Sequence, residues 1–370
     1  METWSVILVG GVPLQGRFSL GDWQLARALA RRRPVLYVDP PLYPRTLLTQ
    51  RDPRLLLGRR RTIGPNLEVV RPLSPPGANR PWGVRLGDRV IGSQIHRVQT
   101  RPDQPRVLLT FDPKRGVLPR VERDLLVYWR RDRLTHSANT AHPELVRQRD
   151  IELIQTADLV TGVSPPLVEE AEALGATSVL IPNGCDYAHF ATPVPRPPGF
   201  PTTRPVIGFA GGVSWRIDIE LLLGLADARP DWTLLLVGEE ATAMPERRNI
   251  VRVGPQPYSE LPGWLQGFDV GVVPYRLDGF NLAAAPLKVY EYLAAGVPVV
   301  STALPAVRPL ANLISTADTT ASFIAAIEET LHDRADGEAC RAVARENDWD
   351  ARAALLDTHI EASLRSTRTT

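Results

Sequence analysis

Short apolar runs alternate with helical patterns along the whole chain. Residues 5–9, Ser-Val-Ile-Leu-Val, are apolar on both faces, as a strand covered on either side by helices requires. Gly10-Gly11-Val12-Pro13 then reads as a turn, and the spacing of Trp23, Leu25, Ala26, Leu29 and Ala30 predicts a helix over 22–31. Further strands are predicted over 35–38, 66–70, 107–111, 125–129, 158–163 and 179–181, with a long polar helix around 144–156. The pattern restarts at 206–210 and continues with strands over 233–237, 250–253, 270–273 and 297–301. Helices are expected over 217–227 and 258–267, and a terminal one over 349–364. Strands alternating with helices predict a doubly wound α/β architecture.

Between the two series, Pro193, Pro195, Pro197, Pro198, Pro201 and Pro205 crowd a segment that no regular element tolerates, which predicts a stiff linker. The expected organisation is a first α/β domain over 1–190, a linker over 191–205, a second α/β domain over 206–345 and a terminal helical segment over 346–370. A length of 370 residues is natural for two cores.

Composition removes several functional classes. A net charge of +2 creates no field that demands nucleic acid, and aromatic residues do not interleave with basic ones at strand spacing. Cys185 and Cys340, the two cysteines, fit neither a disulfide framework nor a zinc site, and Cys185 reads as a small apolar packing residue. No apolar run approaches the roughly 20 residues that span a bilayer, and the start of the chain lacks the basic opening of a signal peptide. The expectation is a cytoplasmic protein with at most peripheral membrane contact. The segments suggested for such contact are Arg31-Arg32-Arg33 and the group Arg51, Arg54, Arg59, Arg60, Arg61 around Leu55-Leu56-Leu57, a solvated loop being the plain alternative.

Candidate chemistry concentrates in Pro286-Leu287-Lys288-Val289-Tyr290-Glu291-Tyr292-Leu293-Ala294-Ala295-Gly296-Val297-Pro298. Pro286 suits a first helical turn, while Gly296 and Pro298 suit an exit. Lys288 and Glu291 fall on one helix face within a turn of its start. A helix start with a cation beside it suits a phosphate, and a carboxylate just behind suits the vicinal hydroxyls of a ribose. An amphipathic helix with a surface ion pair explains the same spacing. The chain has 43 Lys+Arg but only two lysines, Lys114 and Lys288, so a lysine at this place stands out.

This stretch resembles the donor-nucleotide helix of retaining glycosyltransferases of the GT-B fold, glycosyltransferase family 4, in the branch that contains teichuronic-acid-type enzymes. Further segments fit the same branch in order: Tyr37-Val38-Asp39-Pro40-Pro41, Ile181-Pro182-Asn183-Gly184-Cys185-Asp186 with His189-Phe190, Ile207-Gly208-Phe209-Ala210-Gly211-Gly212, Tyr258-Ser259-Glu260-Leu261-Pro262, Phe268-Asp269-Val270 and Glu346-Asn347-Asp348-Trp349-Asp350. The resemblance implies two Rossmann-like domains facing across a cleft, and a terminal segment that crosses back to the first. It implies transfer of a sugar, with retention, from a nucleotide-sugar donor to a hydroxyl acceptor such as a cell-envelope glycan or a secondary metabolite.

Ligands of such sheets sit at the carboxyl ends of strands, which gives the candidates an address. Gly211 and Gly212 admit a diphosphate, Arg216 and Lys288 neutralise charge on the leaving group, and Pro286, Leu287 and Glu291 complete the donor helix. Gln256 and Tyr258 are candidates for the nucleobase. In the first domain the candidates are Gly10, Gly11, Gly16 and Asp112, with Asp132 and His136 in the region that the resemblance places at the donor sugar. Many members carry a second Glu seven residues before the ribose Glu; here that position is Ala284, with Ala285 after it. No Asp-x-Asp motif of the metal-dependent type is seen, so activity without metal or other cofactor is expected. A degenerate sugar-nucleotide binder and a nucleotide-sugar epimerase are the competing readings, and an NAD enzyme is poorly matched.

Overall fold

A computed structural model describes residues 4–14, 21–43, 60–78, 80–99, 104–113, 118–137, 142–333 and 336–367. The chain divides into two compact units, Met1–Ile181 with Ala353–Thr370, and Pro182–Arg352.

The first unit is built on β1 (Ser5–Val9), β2 (Val35–Val38), β3 (Arg61–Gly64), β4 (Leu67–Val70), β5 (Arg106–Thr110), β6 (Leu125–Arg130), β7 (Leu159–Gly162) and β8 (Ser178–Leu180). They form one sheet in the order β3-β4-β2-β1-β5-β6-β7-β8, parallel except for the β3–β4 pair. Both β1 and β6 are buried along their whole length, as their unbroken apolar runs require. The edge strand β3 has no apolar run to announce it, and three of its four residues are exposed.

Two of the suggested membrane segments prove structural where described. Arg61 opens β3 and Arg60 pairs with Glu68. The buried Arg33 lies over the Trp4 ring at 4.0 Å and pairs with Asp357 at 3.1 Å and Glu361 at 2.5 Å, which ties the terminal helix to this unit. Arg51, Arg54 and Arg59 lie outside the described residues.

The second unit holds β9 (Val206–Ala210), β10 (Thr233–Val237), β11 (Ile250–Gly254), β12 (Val270–Val273), β13 (Val299–Ser301) and β14 (Ile314–Thr316). Their order is β11-β10-β9-β12-β13-β14, with every pair parallel. This is a doubly wound sheet whose order reverses between β9 and β12. Gly208 and Gly271 face each other across that pair. A Cβ on either would run into a ring, Phe268 at 2.2 Å or Tyr292 at 2.6 Å, so the glycines let this edge-to-face ring pair lie on the sheet.

The segment 258–267 is one helix by pattern but two short elements in the structure, a 3-10 turn Tyr258–Glu260 and a helix Leu261–Leu265. Pro262 sits in the first turn of the second, which restarts the winding. The proline-rich run is part of the second unit rather than a free connector. Gln266 accepts from the Val194 amide at 3.1 Å and donates to the carbonyls of Phe190 and Thr192 at 2.9 and 2.7 Å. Asp348-Trp349-Asp350 has the spelling of an Asp-x-Asp motif but starts the terminal helix Trp349–Thr367, Asp348 Oδ1 accepting from the Asp350 amide at 2.5 Å.

Candidate functional site

The helix Leu287–Ala294 forms because its two ends are chemically marked and one face is apolar. Pro286 stands one position before the first helical residue, at φ −64°, with no side chain capping the helix start. The amides of Leu287 and Lys288 therefore have no partner within the helix, while that of Val289 donates to Pro286 O at 3.3 Å. At the other end Gly296 takes φ 72°; its amide donates to Leu293 O at 3.0 Å, and that of Val297 to Tyr292 O at 2.9 Å, a paired C-terminal cap. Val289, Tyr292 and Leu293 are buried against the sheet, and the Tyr292 hydroxyl accepts from the Ala210 amide at the end of β9 at 2.7 Å. Asn183, from the Pro-Asn-Gly segment, donates to Ala285 O at 2.7 Å and fixes the chain entering the helix.

This docking brings Lys288 to the point where the strand order reverses. Its Nζ donates to the Tyr275 hydroxyl at 2.8 Å, and a Cβ on Gly211 would lie 3.3 Å from it. The Phe209 and Tyr275 rings flank it, with centroids at 5.2 and 5.0 Å. Gly211 follows β9 at φ 147°, and Tyr275 lies two residues beyond β12. Arg216 shares the same platform: its guanidinium lies 4.8 Å from the Tyr275 ring and 4.8 Å from the Phe280 ring. Its Nε donates to Asn281 Oδ1 at 3.1 Å, and Asn281 Nδ2 returns a bond to Arg216 O at 3.0 Å. One tyrosine thus holds two cations, and an amide side chain clamps one of them.

Glu291 lies one turn behind Lys288, half-buried, and among the described residues it has no hydrogen-bond or ion-pair partner. The surface ion pair that the spacing allowed is absent; Lys288 turns to Tyr275 instead. Burial pushes the Glu291 carboxyl up to about 7, and the Lys288 charge opposes the rise only in part. Ala284 is buried in the wall below, 1% exposed, so no side-chain acid projects from that position.

The remaining candidates divide. Gln256 folds back, donating to Val253 O at 2.8 Å. One face of the Tyr258 ring is taken by His189, stacked at 4.3 Å, and Phe190 meets its edge at 5.7 Å, so this ring packs the Pro-Asn-Gly segment rather than presenting an open stacking face. In the first unit the Gly10 amide donates to Val38 O at 3.0 Å, and the Gly11 amide donates to Asp22 Oδ2 at 2.8 Å. Asp22 is fully buried and paired with Arg131, so the Gly11 amide, a candidate from sequence, already has an anion from inside the protein. Asp132 is half-buried beside Arg131, Asp112 follows β5, and His136 is exposed with its Nδ1 at 3.0 Å from Thr135 Oγ1. Gly16 lies outside the described residues.

Sequence reading missed Tyr275, Asn281, Asp22 and Arg131. Tyr275 was findable as the first side chain past the Pro that follows β12, and Asp22 as the start of the predicted first helix, 11 positions from Gly11; Asn281 and Arg131 carry no spacing signal, because Arg216 and Asp22 are 65 and 109 positions away.

Known proteins resemble this chain in sequence and in fold. Residues 204–333 match the family described as glycosyl transferases group 1. TuaH of Bacillus subtilis, whose name assigns it to teichuronic acid biosynthesis as a glycosyltransferase, is 32% identical over 228 residues, 56% of this chain and 57% of its own. The lipopolysaccharide core biosynthesis mannosyltransferase LpsB of Rhizobium meliloti is 26% identical over 215 residues, 47% of this chain and 59% of its own. The match thus spans less than two thirds of either relative. Among solved structures, sucrose-phosphate synthase from Thermosynechococcus elongatus superposes with a TM-score of 0.75 over 98% of this chain and 100% of that one, at 17% identity. HepE of Anabaena, solved with UDP and glucose, superposes with a TM-score of 0.65 over 96% and 99%, at 16% identity. The chain has the GT-B fold, and within its second unit residues 204–333 match the family described as glycosyl transferases group 1.

Proposed function

We propose that this protein transfers a sugar from a nucleotide-sugar donor to a hydroxyl acceptor, with retention of configuration and without a metal ion. The observation that carries the reading is the position of Lys288, between the glycine after β9 and the tyrosine after β12, at the head of the helix that also bears Glu291. HepE, of the same fold, has been solved with UDP and glucose, which supports a nucleotide-sugar as the ligand class.

In this reading the donor diphosphate lies against Gly211, Gly212 and the uncapped start of the helix Leu287–Ala294, where backbone amides and the helix dipole favour an anion. Lys288 and Arg216, pre-positioned on Tyr275, neutralise the charge that grows on the diphosphate as the glycosidic bond breaks. The leaving phosphate accepts the acceptor's proton on the same face, so no pair of protein carboxylates is required. The Glu291 carboxylate accepts hydrogen bonds from the ribose hydroxyls, whose donors compensate for its burial. Ala284 supplies no contact to the sugar, so donor-sugar recognition falls to other residues, with Asp132 and His136 of the first unit as the candidates from resemblance. The buried Ala284 also favours a second reading, a sugar-nucleotide binder without transferase activity.

Thermal-shift measurements with UDP, GDP, ADP, dTDP and their sugars, run with a chelator, test the proposal. One nucleotide is expected to raise the melting temperature, and Glu291→Ala to abolish the rise. No shift with any nucleotide, or a shift indifferent to Glu291→Ala, overturns the site. Binding with no release of nucleotide from the sugar donor, with or without acceptor extracts, selects the non-catalytic reading.

A further inference from the structure

The helix Val84–Val98 of the first unit turns a basic and apolar face outward that nothing in the proposed chemistry uses. Its inner stripe, Val84, Gly87, Asp88, Ile91 and Ile95, is buried, and the only acid of the helix, Asp88, is paired with Arg149. The outer stripe runs Leu86, Val90, Ser93, Arg97 at helical spacing, flanked by Arg85 and Arg89. Leu86 is 58% exposed, and Trp82, one turn before it, is 78% exposed. Trp82 is not a loose side chain: its indole lies over Gly77, where a Cβ would come within 2.3 Å of the ring. Gly77 also closes the turn that presents the tryptophan, accepting from the Arg80 amide at 2.9 Å. Beside the helix runs an open groove of about 690 Å³, lined by Leu86, Arg89, Arg97 and Arg120 among others and by no acidic side chain.

We propose that this face docks the protein on the surface of an anionic phospholipid bilayer. An exposed tryptophan and leucine on a helix lying along the surface suit the boundary between headgroups and acyl chains, where an indole is preferred. Arg80, Arg85, Arg89, Arg97 and Arg120 surround them with positive charge that no exposed acid of the helix offsets, which suits lipid phosphates. Its residues are not those that the sequence suggested for membrane contact, and no described helix is long and apolar enough to cross a membrane.

Co-sedimentation of the full chain with phosphatidylcholine vesicles, alone or mixed with phosphatidylglycerol, tests this. The wild type is expected to bind the mixed vesicles at low salt, to be released by high salt, and to bind phosphatidylcholine alone weakly. Each arginine charge removed should weaken partitioning about five-fold, so Arg89→Gln/Arg97→Gln is expected to lose about 25-fold, with Arg89→Lys/Arg97→Lys retaining most of the binding. Arg308→Gln, exposed in the second unit, should bind as the wild type does. Brominated lipid should quench tryptophan emission in the wild type and not in Trp82→Phe. Failure of the wild type to bind mixed vesicles, equal binding by the glutamine double variant with an unchanged melting temperature, or quenching that persists in Trp82→Phe each overturns the proposal.

Discussion

Both units follow their first strand with Gly-Gly, and the two loops are finished in opposite ways. In each, the first glycine donates its amide to the end of the neighbouring strand, Gly10 to Val38 at 3.0 Å and Gly211 to Val237 at 2.8 Å. They part at the second glycine. The Gly11 amide meets the buried carboxylate of Asp22, which Arg131 neutralises. The Gly212 amide has no partner among the described residues, and the acid at the start of the following helix, Asp218, caps that helix instead, accepting from Leu221 at 3.0 Å. The first unit thus satisfies its turn with an internal anion, whereas the second leaves an amide open beside Lys288. Two turns of the same composition thus differ in whether the second glycine's amide has a partner, and a buried carboxylate makes the difference.

That contrast is open to attack by substitution. The largest effect is expected from Asp22→Ala, which leaves the Arg131 cation and the Gly11 amide without their buried partner. A loss of about 3–5 kcal/mol is expected in denaturant unfolding of the first unit, with the nucleotide affinity of the protein unchanged. A harmless Asp22→Ala would mean that the carboxylate does not finish the loop. Next comes Lys288→Ala, for which turnover of the nucleotide-sugar should fall about 10²- to 10³-fold at constant melting temperature, because a charge aimed at the leaving group is removed. Tyr275→Phe keeps the ring under Arg216 but deletes the hydroxyl that holds Lys288. Nucleotide affinity measured by calorimetry should drop about ten-fold, as for a hydrogen bond to a charged group.

A further effect concerns pH. Since the folded carboxyl of Glu291 ionises near 7 rather than at 4.5, deprotonation in the native state costs stability. Without nucleotide, the wild type should lose stability relative to Glu291→Gln as pH rises from about 4.5 through 7, and the gap should be constant above that. Melting curves of both proteins across this range check the sign; a gap that grows toward acid would mean the carboxylate is paired.

Much of this was legible in the chain. The strands of the second unit were readable because a strand covered on both faces must be almost wholly apolar, and β9, β10 and β12 are, Thr233 at the start of β10 excepted. The helix Leu287–Ala294 was readable because Pro286 and Gly296 mark its ends through backbone geometry that few other residues satisfy. The edge strand β3, three residues of which are exposed, gave no such signal.

By itself, then, the sequence determined the doubly wound architecture, the helix that carries Lys288 and Glu291, and the likeness to glycosyltransferases. Local composition encodes buried strands and helix ends, so no long-range information was needed. Only the tertiary structure decided that Tyr275 gathers Lys288 and Arg216, that His189 takes a face of Tyr258, and that Asp22 supplies the Gly11 loop with its anion. The separations run from 11 positions for Gly11 and Asp22 to 69 for His189 and Tyr258, and which side chains meet depends on how strands and helices pack, a property that no single segment carries.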